Sequence, residues 1–279
     1  MESMHAKVTV LVDNQAGARL SAEHGLSLWI ETSDTRVLFD TGQGTALPGN
    51  AQELGIVLDE ADILMLSHGH YDHTGGVAHV LKHAQQLEVY CHPGVIQPRY
   101  SIRNGRPKSI QMPRESMAAI DRLPAQRLHW TTGASMLSQG IGITGPIPRD
   151  TCYEDTGGPF FLDPEGLRGD PIADDIALWI HTADGLVVCV GCCHAGLVNT
   201  VSYARNASGV DKVRGIIGGL HLQNASKNRL RQTCMKLLEW HLDFIVPCHC
   251  TGKAAVSYMR QELGKEIVQP GHTGTVIDI

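Results

Sequence analysis

Residues 67–76 read SHGHYDHTGG, so His68, His70, Asp72 and His73 place four metal-capable side chains within six positions. They follow the apolar run Ile63, Leu64, Met65, Leu66. A strand ending there sends His68 and His70 to the same side, because side chains along a strand alternate with period two. A turn through Tyr71, Asp72 and His73 then brings two more donors to a neighbouring point. One ion cannot use all four in that arrangement, which implies two adjacent ions. Imidazole and carboxylate donors suit zinc, with manganese and iron as the alternatives. A polar loop that merely happens to be rich in histidine is the competing account, and it leaves the spacing unexplained.

Two ions about 3.5–4 Å apart leave the chemistry little freedom. Water between them ionises near neutral pH, since metal binding lowers its pKa from 15.7 to about 7. The metal-bound hydroxide attacks a carbonyl carbon or a phosphorus, one ion holds the electrophile's oxygen, and Asp72 orients the nucleophile or accepts a proton. No serine nucleophile is required. A glycine-rich phosphate loop is missing: Gly42-Gln43-Gly44 is too short, and Gly218-Gly219 runs into Leu220 and His221 rather than a Lys-Ser/Thr helix start.

The elements that must position these residues form two similar halves. Leu28-Trp29-Ile30-Glu31-Thr32-Ser33-Asp34 precedes Val37-Leu38-Phe39, while Leu178-Trp179-Ile180-His181-Thr182-Ala183-Asp184 precedes Val187-Val188-Cys189. Each reads as strand, polar turn centred on the Asp, and strand, with apolar residues at the alternate positions a buried sheet requires. Later in each half an apolar strand again delivers a histidine, 63–67 leading into His68 and 244–248 into His249. A duplicated unit of this kind gives an α/β fold, a four-layer αββα sandwich with the site at the seam between the halves. Helices are expected over residues 76–86, 197–207, 226–242 and 251–263, with Ser226 as an N-cap and Leu230, Met235, Leu237 and Leu238 as an apolar face. Between about 93 and 174 periodicity fades and Pro, Gly and Arg become frequent. That stretch reads as an insertion, a lid or substrate wall with short strands near 141–144, within one domain spanning 1–279.

Composition bounds the class. The 279 residues are 42% hydrophobic, ample for a core, and no apolar run approaches the roughly 20 residues a bilayer needs. The first seven residues lack a basic and then apolar leader, so a cytoplasmic location and no membrane partner are expected. Eight cysteines without a regular framework fit reduced thiols, and Cys189 fits a packed strand position better than a redox pair with Cys192. The net charge of −6 hides a cationic segment, where Arg99, Arg103, Arg106, Lys108, Arg114, Arg122 and Arg127 stand against Glu115 and Asp121 alone. No nucleic-acid motif accompanies it, so either it recognises a small anionic substrate or it is a solvated face.

The pattern His-x-His-x-Asp-His after a buried strand resembles the signature of the metallo-β-lactamase fold superfamily. Asp40-Thr41-Gly42, Gly191-Cys192-Cys193-His194 and His249 in the run Cys-His-Cys-Thr-Gly fit the same superfamily. Val12-Asp13-Asn14, Glu23-His24-Gly25-Leu26-Ser27, residues 144–149 and His249-Cys250-Thr251-Gly252 look like its branch containing the archaeal dihydropterin–ribofuranosylaminobenzene phosphate synthase. Against this background His68, His70 and His194 are expected on one ion, with Asp72, His73 and His249 on the other. The resemblance puts a bridging aspartate where Cys192 stands, so either Cys192 bridges as a thiolate or His194 serves without any bridging side chain. Asp174 and Asp175 occupy the place of the superfamily's third histidine motif.

His221 follows the strand at 213–217 and is the rival for a metal position; its expected role is to polarise substrate or donate a proton. Asp40 is expected to orient a ligand histidine. His24 and His92 are expected to line the pocket, and Arg99, Arg103 and Arg149 to hold a phosphate through forked hydrogen bonds. The resemblance implies a dinuclear hydrolase of a small phosphate-bearing or ester substrate. Two alternatives stand beside it: a pterin transferase that releases diphosphate, and a non-catalytic ligand sensor.

Overall fold

A computed structural model describes residues 5–279, and their strands form two large sheets and one small one. The first large sheet has the order Val276–Asp278, Lys7–Val12, Ser27–Glu31, Arg36–Phe39, Ile63–Met65, Glu88–Cys91, Leu128–Trp130. The second has the order Phe244–Cys248, Val213–Gly219, Gly185–Val190, Ala177–Thr182, Ile141–Ile143, Ser135–Ser138. Alternation along the strands assigns every apolar side chain a layer. Leu178, Ile180, Val187 and Cys189 face the first sheet's Leu28, Ile30, Val37 and Phe39 in a shared middle core. Their neighbours Trp179, Leu186, Val188 and Val190 turn the other way, onto helices Leu197–Ser208, Lys227–Trp240 and Lys253–Leu263. On the opposite side Trp29, Leu38, Leu64 and Val89 pack on helices Leu47–Glu53, Val77–His83 and Arg114–Asp121. The expected αββα sandwich is therefore the architecture, each fully buried aliphatic in these three layers contributing about 1.5–3 kcal/mol.

The two hairpins match residue for residue. Trp29 pairs with Leu38 and Trp179 with Val188, and in both turns a threonine hydroxyl accepts the N–H of the aspartate two residues on, Asp34 to Thr32 and Asp184 to Thr182. After each hairpin the chain crosses over to two further parallel strands: Ile63–Met65 and Glu88–Cys91 in one half, Val213–Gly219 and Phe244–Cys248 in the other. The repeat therefore sets the strand before His68 against the strand before His221. His249 corresponds to His92, which corrects the sequence pairing of His68 with His249.

Those parallel strand ends form the seam. Asp40 after Arg36–Phe39, Cys193 after Gly185–Val190, His221 after Val213–Gly219 and His249 after Phe244–Cys248 all adopt left-handed backbone, with φ of 59°, 57°, 46° and 47°. Four non-glycine residues in that region at four strand corners mark strain held in place by the surrounding structure, as functional sites hold it.

Ser226 does cap its helix, accepting the Arg229 N–H at 3.1 Å. The buried face of that helix, however, is Arg229, Thr233, Cys234 and Leu237, while Met235 and Leu238 are about half exposed. Segment 93–174 divides among three places: Leu128–Trp130 extends the first sheet, Ser135–Ser138 and Ile141–Ile143 extend the second, and Tyr100–Arg103, Arg106–Ser109 and Phe160–Phe161 form the small sheet over the seam.

Candidate metal centre

Seven imidazoles run through the seam in one continuous chain. Ring centroids are 4.9 Å apart from His24 to His249, 5.1 Å from His249 to His73 and 4.3 Å from His73 to His68. The chain continues over 4.5 Å from His68 to His70, 5.0 Å from His70 to His194 and 4.3 Å from His194 to His221.

The local structure at His68 to His73 is pinned from one side. His70 opens the short helix Tyr71–Thr74, and the His73 carbonyl accepts both Thr41 N–H (2.7 Å) and Thr41 Oγ1 (2.9 Å). Buried Asp40 accepts Ser67 N–H at 2.7 Å on one oxygen, and Ser67 Oγ at 2.6 Å and His73 Nδ1 at 2.7 Å on the other. Gly191 makes room for this: a Cβ there would lie 2.1 Å from Ser67 Oγ and 2.9 Å from Asp40 Oδ2.

The hydrogen bonds assign the tautomers. Ser67 Oγ gives its proton to Asp40, so it accepts from His68 Nδ1 at 2.9 Å and leaves His68 Nε2 bare. His70 Nδ1, 2.9 Å from that Nε2, is then the donor, and buried His70 Nε2 has no partner. His194 Nδ1 donates to the Thr156 carbonyl at 2.8 Å, and its buried Nε2 is equally unpartnered. His249 Nδ1 donates to Asn14 Oδ1 at 2.9 Å, and Nε2 lies 3.4 Å from Asp72 Oδ2. His194 and His249 are thus held by Nδ1 and turn Nε2 inward, the arrangement that ligating histidines adopt, while His68 Nε2 and His70 Nδ1 lie against each other. Burial pushes the pKa of His68, His70 and His194 well below the usual imidazole range, so these rings are neutral and able to donate a lone pair. His73 differs: burial opposes its charge, but the Asp40 carboxylate and its hydrogen bond outweigh burial and raise the pKa to about 9.

Cys192 is the hub of this array. It belongs to three sets of donor atoms lying within 4.8 Å of one another: His68, Cys192, His194; His73, Cys192, His249; and Cys192, His221, Cys250. A fourth set is His24, Asp72, His249. Cys192 thus lies between His68 and His194 on one side and His73 and His249 on the other, with His73 Nε2 3.2 Å from its sulfur; of the expected ligands, His70 joins none of these sets and Asp72 joins only His24 and His249. Burial opposes ionisation of Asp72, yet the hydrogen bond from His24 and the neighbouring His249 and His73 rings prevail and hold its carboxyl well below the usual range. The unpartnered Nε2 atoms, the neutral imidazoles and the Asp72 carboxylate fit a centre for divalent ions, and zinc suits this donor mixture.

The cavity at this centre has a volume of about 570 Å³ and is lined by His24, His70, Asp72, Cys192, His194, His221 and His249, with Arg103, Arg106, Lys108 and Phe160 from the small sheet opposite. Of the expected anion-binding residues, Arg103 alone lines it. Arg99 is buried on Asp174 (2.9 and 2.5 Å) and Asp170 (3.0 Å), so its guanidinium is already neutralised inside the fold. Arg149 braces the loop of His194, donating to its carbonyl at 2.7 Å and to those of Pro171 and Ile172. His92 caps a turn by accepting the Gly94 N–H at 3.0 Å and does not line the cavity. In the sequence Arg106 and Lys108 count only as charge, and nothing local gives a role to Cys250, Asn14 or Ser67, whose partners lie on other strands.

A family profile described as the metallo-beta-lactamase superfamily matches residues 21–190. The chain is 28% identical over 292 aligned positions to a 7,8-dihydropterin-6-methyl-4-(beta-D-ribofuranosyl)-aminobenzene-5'-phosphate synthase of Methanocaldococcus jannaschii, covering 97% of this chain and 96% of that one. A crystal structure of a metal-dependent hydrolase of the beta-lactamase superfamily superposes with a TM-score of 0.79 at 24% identity, over 98% of this chain and 99% of that chain. Zinc-bound PqqB of Methylobacterium extorquens shares the fold with a TM-score of 0.58 at 13% identity, over 98% and 100% of the two chains. The duplicated hairpins, the histidines at their strand ends and the matching profile agree, and the chain belongs to the metallo-beta-lactamase superfamily.

Proposed function

We propose that this protein is a dinuclear metal-dependent hydrolase of a small phosphate-bearing anion. The observation that carries the reading is that one cavity is lined both by imidazoles with Asp72 and by Arg103, Arg106 and Lys108. Three cations in a cleft lined by a single carboxylate favour an anionic ligand. Two divalent ions held by His68, His70 and His194 and by Asp72, His73 and His249, with Cys192 between, would supply Lewis acidity and a lowered pKa for water.

The chain's own groups do the rest. Among the described residues Asp72 is the only acid on the cavity wall, and His24 at 3.1 Å fixes the orientation of Oδ2, with His249 Nε2 3.4 Å away. A carboxylate so held keeps its charge at neutral pH, so it orients the attacking water or takes its proton. Arg103 and Arg106 stand at the two ends of one turn and can hold two oxygens of one phosphate, while Lys108 lies 3.4 Å from Tyr71 Oη at the cavity rim. Phe160, 5.4 Å from His70 and 5.3 Å from His194 between ring centroids, closes the cavity on an apolar face and excludes water.

A second reading, the pterin transferase, is favoured by the 28% identity to the archaeal synthase over nearly the whole chain. Both readings need a phosphate held opposite the metal centre, and they separate in a single assay. Metal-loaded protein is offered a panel of phosphodiesters, thioesters and lactones, and separately a pterin diphosphate with and without an aminobenzene partner. The hydrolase cleaves a phosphate-bearing panel member and loses that activity in Asp72→Ala. Diphosphate release that requires both pterin and partner establishes the transferase instead. No turnover in either arm overturns both and leaves a ligand sensor.

A further inference from the structure

Three neighbouring parallel strands of the second sheet each end in one soft or borderline donor that the dinuclear set does not need in full. Gly185–Val190 leads to Cys192, Val213–Gly219 to His221, and Phe244–Cys248 to Cys250 on the turn His249–Thr251. A sulfur from each cysteine and a ring nitrogen of His221 lie within 4.8 Å of one another. The position is built rather than incidental. Gly219 is the residue that lets Cys250 approach, since a Cβ there would meet its sulfur at 2.7 Å. Gly157 lies flat against the His221 ring, where a Cβ would come within 1.9 Å of Cδ2. His221 itself is held in left-handed backbone at φ 46°, and its buried Nδ1 has no hydrogen-bond partner. Cys250 and Cys192 are buried free thiols.

We propose that Cys192, His221 and Cys250 form a second, sulfur-rich metal site that takes one thiophilic divalent ion such as zinc or cadmium, sharing the Cys192 thiolate with the histidine centre. Two thiolates and one imidazole make a soft donor set, unlike the imidazole and carboxylate groups across the seam, and they select ions by softness rather than charge. Three protein ligands leave a fourth tetrahedral position facing the cavity that His221 and Cys250 both line. His221 is on this account a ligand and not a proton donor. Binding releases the protons of both thiols to solvent and needs no oxidant.

Cobalt and cadmium test the site without an activity assay. Metal-stripped protein is titrated with Co²⁺ alone, and the thiolate-to-cobalt charge-transfer absorption is compared with that of Cys250→Ser and His221→Ala. The wild type is expected to reach an intensity of two thiolates and Cys250→Ser about half of it. His221→Ala keeps the intensity but weakens binding by about tenfold or more, the usual cost of disturbing a ligand set. Equal intensity in wild type and Cys250→Ser overturns the site. Cadmium NMR on the unaltered protein decides the matter independently of how the variants fold: a resonance shifted into the region of two-sulfur coordination supports the site, and a spectrum whose resonances all show a single sulfur ligand or none rules it out.

Discussion

Asp40 Oδ2 lies 2.7 Å from His73 Nδ1, while the far edge of the same ring, Nε2, lies 3.2 Å from the sulfur of Cys192. One buried carboxylate therefore sets the direction and basicity of a donor aimed at the middle of the site, while its other bonds hold Ser67 and, through it, His68. Asp40→Asn isolates the charge, because asparagine tolerates the left-handed backbone at φ 59° and keeps an oxygen for Ser67 N–H. Metal affinity is expected to fall by about 10–100-fold with the fold retained. Isothermal titration with zinc checks it, and an unchanged affinity would remove Asp40 from any role at the centre.

How far the site could be read from the sequence follows how local each contact is. His68, His70, Asp72 and His73 lie within six residues, and one strand end and one helical turn place them all. The paired hairpins were equally legible, since period-two burial and a Thr-x-Asp turn are properties of short segments. Cys250 was not legible: it meets Cys192 across 58 residues, through the pairing order of three parallel strands that no local pattern encodes. Arg99 misled for the same reason. Its partner Asp174 is 75 residues away, and a charge run cannot tell a guanidinium facing a cavity from one neutralised inside the protein.

That difference between arginines is measurable. Arg99→Ala strands Asp170 and Asp174 without their cation and is expected to cost about 3–5 kcal/mol of stability. Arg103→Ala touches no buried partner, so its unfolding free energy should stay within about 0.5 kcal/mol of wild type while KM for an anionic substrate rises roughly tenfold with kcat little changed. Chemical denaturation and steady-state kinetics on the two variants test the pair. Reversal of the pattern would make Arg99 the anion-binding residue after all.

Metal uptake should depend on pH through His73. Its raised pKa of about 9 means that metal-free protein carries an extra proton there at neutral pH, which ligation has to expel. Zinc affinity should therefore rise as pH increases toward 9 and then level off in this contribution. Titrations in buffers of different ionisation enthalpy count the released protons. A release that is the same in wild type and Asp40→Asn would contradict the assignment, because that variant removes the charge that raises the pKa.

Asp175 predicts a stability effect of its own. Its carboxyl is fully buried behind the His194 loop and accepts the Ala195 N–H at 2.6 Å. Burial nevertheless pushes its pKa up to about 7, against the pull of that hydrogen bond and of Arg149. The native state therefore binds a proton that the unfolded chain, with a carboxyl near 3.8, has already lost. Its contribution to stability is complete below that value, declines as pH rises through about 7, and stays lost above it. Asparagine reproduces the neutral form and keeps an acceptor for Ala195. Asp175→Asn should thus match wild type at about pH 4 and gain on it steadily toward about pH 8, by an amount on the order of 2–4 kcal/mol. Urea unfolding of the two metal-free proteins across that range measures the gap. Titrations common to both proteins, His73 among them, cancel in the difference, and parallel curves would show that Asp175 is ionised in the folded protein throughout.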